Sequence, residues 1–389
     1  MTHPSTFRKL MFQLALAAVA LALGTATVPS GVAQSFKLLH SFQGNNDGSH
    51  ADGGLAMDAS GNFFGTTAGD NFSNFGTVYR IDASGNYTVL YDFTGGKDGA
   101  SPFCELVLDS SGNLYGTTSA GGKSGAGTIF KIDQNGKESV LHSFTGGSDG
   151  GVPDAGVIRD AKGNLYGTAS SGGPSGAGVI FKLSPAGHLK VLYAFTGNAD
   201  GGLPTAPLIR DAQGNLFGTA ALGGASQSGV VFQLTPAGKE KVLYAFSGGK
   251  DGGFPLAGLV RDTAGNFYGT ALQGGSTGSG TVFKLSKTGK FTVLHDFKKS
   301  TDGQFPHGGL VRDSSGTLYG TTIEGGKNGL GTIFRIDKAN KETVVHSFAG
   351  TKDGEDPLAT LTIDGSGNFY GATDAGGATG SGTVFRLKP

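Results

Sequence analysis

The residues best suited to chemistry in this sequence are Asp52, Glu105, Asp154 and His307. Three of them share a column that recurs every 51 residues: Asp52, Phe103, Asp154, Thr205, Leu256, His307 and Leu358. Glu105 stands in a column two residues further on, with Gly54, Gly156, Pro207, Gly258, Gly309 and Thr360, and is its only charge. Carboxylates and an imidazole brought to one place could ligate a divalent cation such as calcium, or hydrogen-bond a polar ligand. The competing reading is that they are solvated loop residues at positions free to vary. In a repeat, positions identical in every copy serve the unit, and positions that differ are free to serve a ligand. The sequence has no nucleophile elbow, metal-spaced histidine pair, phosphate loop or cysteine–histidine couple. No catalytic residue is therefore assigned, and no cofactor is predicted beyond that cation.

Other candidates carry weaker chemistry. Asp70 to Phe75 replaces the Gly-Gly found in the other six copies, and its Asn71, Phe72 and Phe75 form a rim loop. Its two aromatics could stack on a sugar or pack against the rim. An Asp-Gly pair at Asp47, Asp98, Asp149, Asp200, Asp251, Asp302 and Asp353 reads as a turn cap, because its surroundings lack calcium-loop spacing. His40, His142, His295 and His346 share a column with Tyr91, Tyr193 and Tyr244, which suggests a packed, half-polar position. Arg159, Arg210, Arg261 and Arg312 could form an anion site, or pair with adjacent acidic turns. The single cysteine, Cys104, lies in a column of Gly and Ala, where a small hydrophobe fits.

Positioning these residues falls to a repeat that fills the chain. Gly-Asn-(Leu/Phe)-(Tyr/Phe)-Gly starts at Gly61, Gly112, Gly163, Gly214, Gly265, Gly316 and Gly367, with Thr317 as the one departure from Asn. Gly-(Thr/Val)-(Val/Ile)-(Phe/Tyr) starts at Gly76 and recurs at the same interval to Gly382. Each copy predicts four short strands; in the second they are 106–108, 113–117, 128–132 and 139–144. We designate them a to d in chain order. Four strands in 51 residues, seven times over, predict an all-β, closed seven-bladed β-propeller occupying residues 34–389. The first strand, 36–42, is of type d, whereas the last repeat supplies only a, b and c. The N-terminal strand is expected to complete the last blade and close the ring. The a–b and c–d turns are tight and should share one face. The long b–c and d–a loops should crowd the other, around the channel mouth, with strand a lining the channel.

The strings GNLYGT, GTIFK and VLHSF resemble the Gloeo/Verruco (GloVer) tandem repeat, at all seven copies. That resemblance implies an exported, surface-associated bacterial repeat protein with no established activity, whose relatives often carry a C-terminal sorting anchor. The strand order also resembles NHL and gluconolactonase-type propellers, and more weakly kelch repeats.

Composition agrees. Glycine contributes 72 of 389 residues, but without a three-residue period, and 37% of residues are hydrophobic. Collagen and disorder are thereby excluded in favour of a turn-dense β fold. Arg8 and Lys9, an apolar run from Leu10 to Leu23 and Gly31-Val32-Ala33 read as a signal peptide over 1–33, with Ala26 as the alternative cleavage point. Export to the periplasm or the outside is expected, without membrane insertion after cleavage. Equal counts of acidic and basic residues, 30 each, argue against a nucleic-acid partner. The sequence therefore predicts a monomeric, secreted binding or scaffold module whose ligand is a glycan or surface protein. The alternative is a metal-assisted lactonase- or hydrolase-type enzyme acting at the channel mouth.

Overall fold

The computed structural model describes residues 35–44, 47–70, 74–298 and 301–388. The signal peptide expected over 1–33 lies outside the described residues. Blade 1 consists of β2 (Ala56–Met57), β3 (Phe63–Thr67), β4 (Thr77–Ile81) and β5 (Tyr87–Asp92), paired in that order. Blade 2 runs from β6 (Val107–Leu108) to β9 (Glu138–Ser143), and the series continues to β25 (Glu342–Ser347), the last strand of blade 6. Blade 7 holds β26 (Thr362–Ile363), β27 (Phe369–Thr373) and β28 (Thr383–Lys388), and its fourth strand is β1 (Ser35–Ser41). The molecule is a seven-bladed β-propeller closed by its N-terminal strand.

The turns form as their residues dictate. Asp109 Oδ1 accepts the amides of Ser111 and Asn113, Oδ2 accepts the Asn113 side chain, and Gly112 takes φ 75°. Holding Asn113 in this cap starts the following strand one residue later than expected, at Leu114. Strand a is shorter than expected, two residues in every blade, because the chain leaves it directly into that capped turn. Strand d also shifts back by one residue, to Glu138–Ser143, beside a register shift at Ile129/Phe130. The glycine after the strand-b aromatic serves close packing. A Cβ on Gly116 would lie 2.6 Å from Cζ of Phe130.

Blades are joined by recurring contacts. The strand-d phenylalanines Phe42, Phe144, Phe195, Phe297 and Phe348 are fully buried, and Phe246 nearly so. They meet strand-c rings edge-on, as Phe144 does Phe181 at 5.2 Å. The Thr of each GT pair reaches the next blade: Thr117 Oγ1 donates to Ala155 O at 2.8 Å, and Thr219 to Ala257 O at 2.9 Å. Blade 7 carries Ala372 at this position. There Thr362 Oγ1 bonds Leu55 O of blade 1 instead, while within blade 7 the N-terminal strand is held by Phe42 N to Gly382 O at 3.0 Å and Thr379 Oγ1 to Phe42 O at 2.6 Å.

The interchange of His and Tyr in strand d has a polar explanation. Both types of ring bond the Asp of the following Asp-Gly: Tyr193 OH to Asp200 at 2.8 Å, and His346 Nε2 to Asp353 at 2.8 Å. The same carboxylates accept turn amides, as Asp200 does from Thr196 at 2.8 Å, so the Asp-Gly pair is the expected turn cap.

Candidate site at the channel mouth

A cavity of about 360 Å³ occupies the channel mouth on the long-loop face. Asp52, Glu105, Asp154 and His307 all line it, together with Phe103, Thr205, Leu256 and Leu358. The variable columns therefore converge, and no Lys or Arg lies in this wall. Below it a second cavity of about 270 Å³ continues down the channel between the strand-a residues. Glu105, Gly156, Pro207, Gly258, Gly309 and Thr360 line both cavities and form the neck between them. Glu105 is thus the one ionisable group at the constriction. Desolvation by the surrounding protein raises its carboxyl to about 7. The residue nonetheless keeps solvent-exposed surface inside the channel.

The other acids differ in environment. Burial raises Asp154, opposed by a bond to Ser170. His307 is held below its ordinary value by desolvation, with Nδ1 3.4 Å from Leu358 O. Asp52 belongs to a chain of groups at the ring seam. His50 Nδ1 lies 2.9 Å from Asp374 Oδ1, and Asp374 faces Asp52. No donor reaches the buried Asp52 Oδ1. Desolvation and the neighbouring Asp374 charge accordingly raise Asp52 well above the usual range. Desolvation also works to raise Asp374, but bonds from His50 and Asp52 outweigh it and lower Asp374. The Asp374 bond raises His50 against its own desolvation. Thr205 Oγ1, in the same cavity wall, is buried and has no hydrogen-bond partner.

Sequence reasoning missed Asp374 and the part His50 plays. The signal was present: Asp374 is the only acid in the column Ala68, Ser119, Ser170, Ala221, Leu272, Ile323 and Asp374. It also missed backbone strain around the mouth. His50, Ser101, Val152, Leu203, Phe254, Phe305 and Asp356 all adopt positive φ, from 52° to 59°. That region is costly for any side chain and most for β-branched Val152. Their amides bond the preceding b–c loop, as Val152 N does Ala126 O at 2.9 Å, which holds the rim rigid.

The remaining candidates resolve differently. Phe75 packs into the apolar cluster around Phe64 and Phe93, with its ring against Gly95, while Asn71 and Phe72 lie outside the described residues. Cys104 is buried, its thiol pushed up by desolvation, with Sγ 3.2 Å from Thr117 N; it fills a small-residue site. The strand-a arginines do not simply pair with acidic turns. Arg159, Arg210 and Arg261 lie over Tyr115, Tyr166 and Phe217 of the preceding blade at 5.8, 5.6 and 5.3 Å, and only Arg261 approaches a turn carboxylate, Asp211 at 4.0 Å. Among the described residues no group of three His, Cys, Asp or Glu side chains is placed to hold a metal ion.

Comparison with known proteins matches the chain to the Gloeobacter/Verrucomicrobia repeat over residues 24–214, 135–314 and 203–389. The chain belongs to this repeat family. No curated protein matches it. Among solved structures it is similar to virginiamycin B lyase from Staphylococcus aureus, at 15% identity and TM-score 0.59, covering 92% of this chain and 99% of that one. It is also similar to the extracellular domain of what is named a one component system of B. thetaiotaomicron, at 12% identity and TM-score 0.59. That match covers 90% of this chain and 39% of the other. A protein named as a 6-phosphogluconolactonase from Bacteroides uniformis shares 17% identity at TM-score 0.52, over 78% and 86% of the two chains. At these identities the likeness is one of fold. Among the described residues no helix is long and apolar enough to cross a membrane.

Proposed function

We propose that this GloVer-repeat propeller is an exported binding module that seats its ligand in the channel mouth. The observation that carries this reading is the cavity wall itself. It brings Asp52, Asp154, Glu105 and His307 from separate blades together in an otherwise largely apolar ring. A few polar groups converging in an apolar cavity wall are what fixes a small polar ligand. Acids without neighbouring cations disfavour an anionic group. Asp52, whose carboxyl holds its proton more tightly than usual, and His307, held below its ordinary value, favour hydroxyls, which both donate and accept. The chemistry supports a glycan or a protein side chain presented at a cell surface.

The test is a thermal-shift and calorimetry screen of the protein against neutral glycans, calcium and zinc. Binding should weaken in Asp52→Ala with Glu105→Ala and in Thr205→Val. Unaltered binding in all these variants, or no binding by any member of the screen, removes the channel mouth as the seat.

A hydrolase reading draws on one specific feature. Asp52 and Asp374 are neighbouring carboxyls whose proton affinities are driven apart, the arrangement that serves acid and base roles. His50 orients Asp374 at 2.9 Å. This reading predicts turnover of a lactone or ester panel that is lost in Asp374→Asn. No turnover by the unaltered protein sinks it.

A further inference from the structure

The tight-turn face, opposite the channel mouth, carries one guanidinium per blade junction, drawn from one of two strands. At four junctions it comes from strand a of the following blade: Arg159, Arg210, Arg261 and Arg312. At the other three that position is Met57, Leu108 or Ile363, and an arginine stands on strand c of the preceding blade instead: Arg386, Arg80 or Arg335 respectively. The exchange has a steric consequence. A strand-a arginine lies over the aromatic ring of the preceding blade and fills the junction, as Arg159 does over Tyr115. Where Leu108 and Met57 replace it, open grooves remain. They measure about 590 Å³ between blades 1 and 2 and about 460 Å³ between blades 7 and 1. Displaced by 51 residues, most of the two linings correspond, Arg386 to Arg80, Leu39 to Leu90 and Asp82 to Asp133; the groove between blades 7 and 1 adds Lys37 and has Tyr370, bonded to Asp364, in place of Phe64.

The groove between blades 1 and 2 has unused polar capacity. Arg80 lines it; its Nε is buried and unbonded, so the rest of the guanidinium is what a ligand can meet. Asp58 Oδ2 accepts only the Asn62 side chain, at 2.7 Å, because Phe64 replaces the tyrosine whose hydroxyl bonds the equivalent Asp109, Asp160, Asp262 and Asp364 at 3.0 Å. Asp133 uses Oδ1 for two turn amides, which leaves Oδ2 for a ligand. Between these donors and acceptors lie the half-buried side chains of Met57, Leu90 and Leu108.

We infer that these two grooves are saccharide-binding sites, each taking one or two rings of a neutral glycan. An anion would meet Asp58, Asp109 and Asp133, and a cation would meet Arg80. An uncharged polyol supplies donors for the carboxylates, acceptors for the guanidinium and a C–H face for the apolar wall. The volumes fall in the range of small-ligand clefts. Grooves one blade apart suit successive segments of one chain, so a tetrasaccharide should bind more tightly than a disaccharide.

The repeat supplies its own control. Leu108→Arg with Met57→Arg fills both grooves with the residue that four junctions already carry, so the fold should survive. Calorimetry of the purified protein with cellobiose, maltose, lactose, mannobiose and xylobiose and their tetrasaccharides should find at least one binder. Filling the grooves, or changing Arg80→Ala with Arg386→Ala, should weaken it by roughly tenfold or more. Asp52→Ala with Glu105→Ala, at the other face, should leave this binding intact, which separates the two sites. The inference is overturned if no neutral saccharide binds, or if affinity is unchanged when the grooves are filled. It is equally overturned if the arginine-deleted protein binds as before. Should the filled variant melt early, the arginine deletions decide the matter alone.

Discussion

Tyr79→Phe should stabilise this propeller, and the repeat says by what mechanism. Tyr79 is fully buried on β4, and its hydroxyl has no hydrogen-bond partner. Burial raises the phenol well above its ordinary value, as expected for a polar group without a partner. The other six blades place Phe130, Phe181, Phe232, Phe283, Phe334 and Phe385 at this position, each also fully buried. The site thus accepts a phenyl ring six times, with a Gly beneath it each time. Leaving a buried hydroxyl unbonded costs about 1–3 kcal/mol, and the substitution removes that cost. The ring spans Phe36–Lys388. At about 2.1 cal/mol/K of unfolding entropy per residue, a chain of that length has roughly 0.7 kcal/mol/K in all. The gain then corresponds to a rise in Tm of about 1–4 °C. Differential scanning calorimetry at one pH and one scan rate measures it. A Tm that stays constant or falls would refute the reasoning, because the hydroxyl would then have a stabilising partner.

Other consequences are open to measurement. Phe42→Ala removes a fully buried ring from the non-covalent seam and should cost about 3–5 kcal/mol; hydrogen exchange should quicken first in β1 and β28. If blade 4 exchanges first, the seam is not the weak point. His50, raised above its ordinary 6.5 by Asp374, stabilises the fold fully below that value and loses its contribution as pH rises through the raised pKa. His50→Gln should flatten stability against pH on that side, and an unaltered profile would remove the His50–Asp374 pair from the account. Glu105, raised to about 7, should make ligand binding at the channel mouth change across neutral pH, an effect absent in Glu105→Gln. A profile identical in the two proteins would place Glu105 outside the seat.

What sequence reasoning could reach depended on whether a feature repeats. The sevenfold interval of 51 residues fixed blade count, strand order and the split last blade, because each unit must bury its apolar face against identical neighbours. It also singled out the columns of Asp52 and Glu105, since only positions that vary between copies are free to differ in chemistry. Cap residues such as Asp109, with their bonds inside one turn, were equally legible. Contacts between copies were not. The repeat brings the ends of the chain together, but that Asp374 faces Asp52 depends on how side chains of two adjoining blades are aimed, which no spacing encodes. That His and Tyr exchange because both bond one Asp, and that Arg80 and Arg159 are alternative sources of one guanidinium, became visible only when neighbouring blades were seen side by side. The sequence by itself determined the ring and the places where it could vary. Tertiary structure decided which variations meet, because the pairing of carboxyls at the seam and the open or filled state of a groove are properties of two blades in contact.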